Sequence, residues 1–236
     1  MEPDFLVLGF TWYVVFLFST TCHEAGHALA AKLGGDLTAF RGGQVSLDPR
    51  PHIFREPFGM VVFPILSYLV GGWMMGWASA PYDPRWARRY PRRAAWMSVA
   101  GPAADFVLMI LSGILMHVGI WTGVFQHPES ATFTHVVEAV NGGAAEGMAT
   151  FLSVMFSLNL LLGVFNLLPI PPLDGFGAVG LLLSEKSAAR FQEFEEQFRG
   201  YNMLGLLIAW QVFGPVFHPL FEVGLKVLYP LSGYGS

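Results

Sequence analysis

Long runs of apolar residues, separated by shorter stretches rich in polar residues, glycine and proline, make up most of this 236-residue chain. The runs long enough to span a bilayer, or to begin a span, cover residues 5–33, 94–121, 147–168 and 202–213. As a helix rising about 1.5 Å per residue, the first run alone would extend about 42 Å and cross a membrane with its interfaces. After the last run, Gly214, Pro215 and Pro219 predict a break, because proline cannot continue the hydrogen-bond ladder of a helix.

The connecting segments are polar and predict different structures. Residues 34–57 hold several glycines and prolines and a short alternation of polar and apolar residues at 44–47, which favours a β-hairpin or loop close to the membrane surface. Residues 125–147 are typical of an external loop. Residues 184–199 combine many charges with a helical pattern, which predicts a helix lying on the cytoplasmic surface.

The apolar segment 58–77 permits two topologies. Pro64 and the pair Gly71-Gly72 interrupt it, and the loops on both sides of it are basic. Because basic loops stay in the cytoplasm, the segment is either re-entrant, which we favour slightly, or a crossing that violates the charge rule. The pattern therefore predicts an all-α polytopic membrane protein of about five to six membrane helices, one of them re-entrant in the favoured topology, with a short β-hairpin loop.

The composition supports this class of protein. Hydrophobic residues make up 53% of the chain and charged residues only 13%, about half the charged fraction of a soluble domain. The single Cys22 excludes an internal disulfide and a cysteine-based metal cage. Since acidic residues precede the first helix and basic residues follow it, the positive-inside rule places its N-terminus outside and its C-terminal half near the cytoplasmic face.

The first apolar helix also carries residues with metal-binding chemistry. His23 and His27 are four residues apart, so on a helix they project from one face and can reach one metal ion. Glu24 beside them is placed to act on water rather than to ligate the metal. Ionisable groups at membrane depth are costly and usually functional. Two alternatives remain open: a pair of hydrogen-bonded helix-face histidines, and a thiolate ligand at Cys22, which is better interpreted as a small packing residue.

A catalytic zinc site usually has three protein ligands, so the third has to come from elsewhere in the chain. The candidates are Asp105, Asp174, Glu56, His52 and His117. Asp174 is favoured because it follows a proline-broken stretch, whose freed backbone groups are tolerated only beside a wet cavity or inside the protein. The residues alone support equally well that Asp174 caps the next helix. For Asp105 we expect packing or hydrogen bonding near the site rather than ligation.

These motifs resemble the site-2 protease family of intramembrane zinc metalloproteases, in its short bacterial form without PDZ or CBS domain. The matching residues are His23-Glu24-Ala25-Gly26-His27, residues 43–52, Pro57-Phe58-Gly59, Gly76-Trp77-Ala78, Ala100-Gly101-Pro102, and residues 166–175 from Asn166 to Asp174-Gly175. The resemblance implies one Zn²⁺ bound by His23, His27 and Asp174, with Glu24 as the general base. It also implies hydrolysis of a transmembrane substrate inside the bilayer. Departures from the family pattern are Phe176, Ser79 and Asp105, the last of which stands where asparagine is frequent.

Such a reaction needs a hydrogen-bond donor for the developing oxyanion, and the chain offers two candidates. Asn166 is interpreted equally well as an amide that satisfies the unwound backbone. His52 is better interpreted as a histidine of a surface loop. An exposed strand at 44–47 could hold an extended substrate by strand addition.

The chain 1–236 is predicted to form a single membrane-embedded metalloprotease domain, with a core at 5–183 and a surface helix and last span at 184–236. Its expected partners are a transmembrane substrate and the lipid bilayer, with no nucleic acid, in a bacterial inner membrane and with the site toward the cytoplasm. Two other functions compete. A non-hydrolytic scaffold or pseudoprotease would bind a partner helix, but the intact Glu24 argues against it. A metal transporter would need further polar residues along a continuous path.

Overall fold

The computed structural model describes residues 3–230, and its main feature is a bundle of long apolar helices. All helices are numbered in chain order. Within those residues, the helices long and apolar enough to cross a membrane are α1 (Pro3–Gly34), α6 (Pro91–Trp121), α7 (Ala144–Asn166) and α10 (Asn202–Leu228). They lie where the apolar runs predicted them, so the all-α membrane architecture is confirmed. The predicted domain also includes residues 1, 2 and 231–236, which lie outside the described part.

Shorter elements occupy the connecting segments. The short helices are α2 (Thr38–Arg41), α3 (Arg50–Arg55), a π-helical turn (Phe58–Val62) leading into α4 (Phe63–Gly71), α5 (Pro84–Arg89), α8 (Asp174–Ala178) and α9 (Glu185–Phe198). Single 3-10 turns, Val179–Leu182 and Arg199–Tyr201, follow α8 and α9. Strands β1 (Phe125–Gln126) and β2 (Glu138–Ala139) form an antiparallel pair in the loop between α6 and α7. The helix predicted at 184–199 is therefore confirmed as α9.

Residues 34–57 form a loop that contains the short helices α2 and α3, which is one of the two structures predicted for them, whereas the exposed strand expected at 44–47 is not found there. Residues 45–47 form bends and Gln44 is irregular, because buried side chains rather than a second strand hold this loop. The amide of Gln44 donates to Ser79 O at 2.9 Å, and Asp36 accepts a hydrogen bond from Asp83 N at 2.7 Å. Without a strand edge, substrate addition at 44–47 loses its structural basis.

The apolar segment 58–77 enters the bundle and returns. Its helical part, Phe58–Gly71, rises only about 21 Å, which is shorter than the hydrocarbon core of about 30 Å. After the return, Ser79 Oγ donates to Glu56 Oε1 at 2.6 Å, which joins the chain just before the segment to the chain just after it. The two ends therefore meet at the same end of the bundle, as the re-entrant topology predicted.

Helix α6 lies between α1 and α7, and its contact with α1 is close. At Gly26 an added Cβ would lie 2.7 Å from Ala100 O, so the two backbones approach as only a glycine permits. Helix α10 packs mainly against α7 and leaves most of its apolar side chains exposed. Such a face is expected where lipid rather than water surrounds the helix.

Helix α10 continues through Pro215 and Pro219, so the predicted break after residue 213 is wrong. Each proline removes one backbone hydrogen bond. Ending the helix inside the lipid would leave more backbone groups without partners, since hydrocarbon offers no water to replace them. Two missing bonds therefore cost less than an interruption.

The re-entrant topology predicts which loops share one side of the membrane. In a Cys22→Ala background, Phe54→Cys and Arg85→Cys should react with an impermeant maleimide from the same side, because α3 and α5 lie at the two ends of the returning segment. Ser130→Cys, between β1 and β2, should react only from the opposite side. All three positions are exposed in the structure. Labelling of Phe54→Cys and Arg85→Cys from opposite sides would show that the segment crosses.

Candidate metal centre

Two histidines in the second half of α1 direct their Nε2 atoms toward the same point. His23 and His27 lie one helical turn apart, and their Nε2 atoms are 3.0 Å from each other. Only 7% of His23 and 6% of His27 is exposed, so both rings lie inside the helix bundle. The spacing of four residues predicted this shared face.

Asp174 brings a carboxylate to the same point. Its Oδ2 atom lies 3.1 Å from His23 Nε2 and 3.3 Å from His27 Nε2. Asp174 is the first residue of α8, which follows the proline-containing turn at the end of α7. Leu173 occupies the N-cap position, and α8 has no side-chain cap. The structure therefore favours the metal-site interpretation of Asp174 over the capping one.

Helix α6 orients both histidine rings from behind. His23 Nδ1 lies 2.8 Å from Asp105 Oδ2, and His27 Nδ1 lies 2.7 Å from Met97 O. Both partners are acceptors, so each Nδ1 donates a proton and each Nε2 keeps a lone pair for a metal ion. Asp105 is thus a hydrogen-bonding neighbour of the site, as predicted, and does not belong to the converging group.

Gly101 lies between these two acceptors on α6 and leaves room for the rings. A Cβ at Gly101 would lie 2.6 Å from His23 Nε2 and would also crowd His27 Nε2. Any larger residue would displace a ring, since a packed interior yields little. The sequence showed this glycine within Ala100-Gly101-Pro102, but not its reason.

Glu24 directly follows His23 on α1 and lies within one helical turn of His27. Only 6% of Glu24 is exposed, and its carboxyl has no hydrogen-bond partner among residues 3–230. A buried carboxylate without a protein partner is able to bind and deprotonate water. The geometry is compatible with the role that the resemblance assigns to it.

His52 is tied into its own loop. It is buried, which corrects the expectation of a surface histidine. Its Nε2 donates to Ser46 O at 3.2 Å and its Nδ1 accepts from Gln44 Nε2 at 3.5 Å. Burial lowers the pKa of His52, so the ring is neutral at pH 7. With both nitrogens engaged, this histidine stabilises the loop, and a role as oxyanion donor stays a prediction without a contact to support it.

Among the described residues, the other candidate ligands do not join the three converging donor atoms. His117 Nε2 donates to Leu228 O at 2.8 Å, and Cys22 and Glu56 do not belong to the converging group. Asn166 is the half-buried last residue of α7, and its side chain makes no hydrogen bond in the described part of the chain. No bond therefore assigns it to the unwound backbone, and its role as oxyanion donor stays a prediction.

Sequence reasoning missed a second polar contact that holds α1. Asn159 on α7 is buried, and its Nδ2 donates to Ser19 Oγ at 2.9 Å. Ser19 lies one helical turn before His23, so this bond ties α1, the helix that carries both histidines, to α7. The available signal was a polar residue inside an apolar span, which in lipid usually bonds to a neighbouring helix.

The sequence of the chain matches a known family model and several named proteins. The model described as "Peptidase family M50" matches residues 11–209. A relative from Bacillus subtilis, named "Putative zinc metalloprotease YwhC", is 28% identical over 223 residues, covering 94% of this chain and 85% of that protein. "Putative zinc metalloprotease Rip2" of Mycolicibacterium smegmatis is 32% identical over 164 residues, 70% of this chain and 54% of that protein. The protein of the same name from Mycobacterium tuberculosis is 29% identical over 231 residues, 94% of this chain and 76% of the relative.

No solved structure matches the chain significantly. The matched range contains His23, Glu24, His27 and Asp174, the residues that the fold brings together or places beside one another. The chain therefore belongs to peptidase family M50, the site-2 protease type of membrane metalloprotease.

Proposed function

We propose that this protein is an intramembrane zinc endopeptidase that hydrolyses peptide bonds of transmembrane proteins. The convergence of His23 Nε2, His27 Nε2 and Asp174 Oδ2 inside a membrane-spanning helix bundle carries the proposal. A soluble peptidase would need a site open to water, whereas His23 and His27 lie within α1, about 17 Å and about 11 Å before its C-terminal end at Gly34. The substrate bond would therefore be reached within the lipid.

The donor set fits zinc. Two imidazole nitrogens and one carboxylate oxygen are a common set of three protein ligands at catalytic zinc sites. Tetrahedral zinc with bonds of about 2.0–2.1 Å requires ligand atoms about 3.3 Å apart. The three separations of 3.0, 3.1 and 3.3 Å meet that requirement within a few tenths of an ångström. One zinc ion per chain would be held by His23, His27 and Asp174.

Each side chain of the site would have a separate role in the hydrolysis of the peptide bond. Zinc, when bound, acidifies a coordinated water to a pKa of about 7 and polarises a carbonyl. Glu24 accepts the water proton at its carboxylate and passes it to the nitrogen of the leaving amine. Asn166, where the chain leaves α7, is proposed to donate its amide hydrogen to the developing oxyanion. A helical substrate has to unwind locally first, because its carbonyls are otherwise hydrogen-bonded.

The charge distribution supports an orientation in the membrane. Every Lys and Arg residue of the chain except Lys226 lies at the end of the bundle where α1 and α7 finish and α6 and α10 begin. The positive-inside rule assigns that end to the cytoplasm. We infer a bacterial cell membrane, with the metal site nearer the cytoplasmic face and with lipid and a transmembrane substrate as partners.

Because Gly101 leaves space for the two histidine rings, a larger residue there should weaken metal binding. Gly101→Ala places a methyl group against both Nε2 atoms, so zinc affinity should fall about tenfold or more while the helices remain folded. The measurement is the zinc affinity of purified protein by competition with a chelator, with circular dichroism as the folding check. Gly113→Ala on the same helix is the control, because its Cβ would lie 3.0 Å from the end of the flexible Leu228 side chain. A zinc affinity of Gly101→Ala within about twofold of the wild type would contradict the placement of the site.

The role of Glu24 predicts a variant that keeps metal but loses turnover. Glu24→Gln should lower cleavage of a reporter transmembrane substrate about 100-fold or more, because the amide cannot accept the proton. Its zinc content should equal that of the wild type. Glu146→Gln, an exposed glutamate in the first turn of α7, is the matched control and should cleave normally. Undiminished function in Glu24→Gln would favour the non-hydrolytic scaffold instead.

A further inference from the structure

We propose that Asp105 is a positioning residue that holds the His23 ring in its ligating orientation and so sets the zinc affinity of the site. The inference rests on the proposed zinc site and deepens it. Asp105 touches neither substrate nor metal, since its contact is with the far nitrogen of a ligand. The hydrogen bond of 2.8 Å between His23 Nδ1 and Asp105 Oδ2 is the observation that carries it.

The carboxylate of Asp105 occupies a position that packing alone does not explain. Asp105 is 0% exposed in the middle of α6, and among the described residues its Oδ1 atom has no hydrogen-bond partner. A carboxylate inside a membrane span is costly, and an unshared oxygen adds to that cost. The single strong contact to His23 is therefore the compensation that the structure offers.

The two histidines are oriented by unequal acceptors. His27 Nδ1 donates to the neutral carbonyl of Met97, whereas His23 Nδ1 donates to a carboxylate. A charged acceptor makes a stronger hydrogen bond and raises the basicity of the ligating nitrogen across the ring. Asp105 is thus the acceptor whose side chain can be changed, and the strength of the bond at His23 depends on it.

One face of α6 both orients the two histidine rings and leaves space for them. Met97, Gly101 and Asp105 are each four residues apart, so they form one stripe on the face of α6 that contacts α1. The outer two members accept hydrogen bonds from the rings, and the middle one leaves space for them. Removal of the Asp105 carboxylate should free the His23 ring to rotate without moving α6.

The test compares zinc affinities of purified, detergent-solubilised full-length variants by competition with a chelator. Asp105→Asn keeps the shape and an acceptor oxygen but loses the charge, and Asp105→Ala removes the acceptor. We expect zinc to bind about tenfold more weakly to the first and up to about 100-fold more weakly to the second. Ser112→Ala is the control, because Ser112 is buried on the same helix and, within residues 3–230, its hydroxyl bonds only to Leu108 O of that helix. It should bind zinc as the wild type does.

A second readout separates positioning from packing. With Co²⁺ at saturation, the visible absorption bands report the ligand geometry, so Asp105→Ala should show shifted bands. A residue that only packs would lower the thermal stability of the variant and leave both affinity and spectrum unchanged. Affinities within about twofold of wild type in both Asp105 variants would overturn the proposal. If Asp105→Ala does not fold, the affinity of Asp105→Asn decides in the same way.

The His23→Ala variant distinguishes this proposal from the proposed function. If the wild type binds zinc, His23→Ala does not, and the Asp105 variants bind like the wild type, only the positioning role is refuted. If folded wild-type protein binds no zinc, the metal site itself is refuted and the role of Asp105 with it. Weaker binding in the Asp105 variants, with Ser112→Ala unchanged, supports both.

Discussion

The meeting of two imidazole nitrogens and one carboxylate oxygen inside a lipid-embedded bundle is the constraint on which the rest of the structure depends. Each of these groups is costly to bury without a partner, and hydrocarbon provides no water to replace a missing contact. In the structure the three atoms lie 3.0–3.3 Å from one another, and the Nδ1 atom of each ring has a hydrogen-bond acceptor on α6. A divalent cation at their common point would satisfy all three donors at once.

The close approach of α6 to α1 allows these three groups to come together. Gly26 on α1 lets the two backbones approach, and Gly101 leaves space where the rings lie. Because the helices are this close, a backbone carbonyl and a carboxylate of α6 reach the outer nitrogens of the histidines. The proline-containing turn after α7 then returns the chain so that Asp174 closes the group. Three separate segments therefore build one site, and small residues are what permit it.

The sequence predicted those parts of the molecule that depend on local pattern. The four long helices follow from apolar length, and the shared face of His23 and His27 follows from a spacing of one turn. Asp174 was only one of five candidates on physical grounds, because no local rule says where a chain returns after a proline-broken turn. The acceptor at His27 was not predictable either, since a backbone carbonyl has no residue signature.

The wrong predictions also have physical causes. Residues 44–47 alternate as a strand does, but no partner strand lies beside them, and the buried side chain of Gln44 holds the loop instead. The helix over Pro215 and Pro219 continues because lipid penalises interruption more than two lost hydrogen bonds. In both cases the environment, which is invisible in a short sequence window, decided the outcome.

X-ray absorption at the zinc edge of the purified protein tests the central claim most directly. The structure predicts two imidazole nitrogens at about 2.0–2.1 Å, with the outer-shell scattering of their rings, and oxygen neighbours at about 2.0–2.2 Å. A sulfur neighbour at about 2.3 Å, which Cys22 as the single cysteine of the chain could supply, would contradict it. So would a spectrum with fewer than two imidazoles.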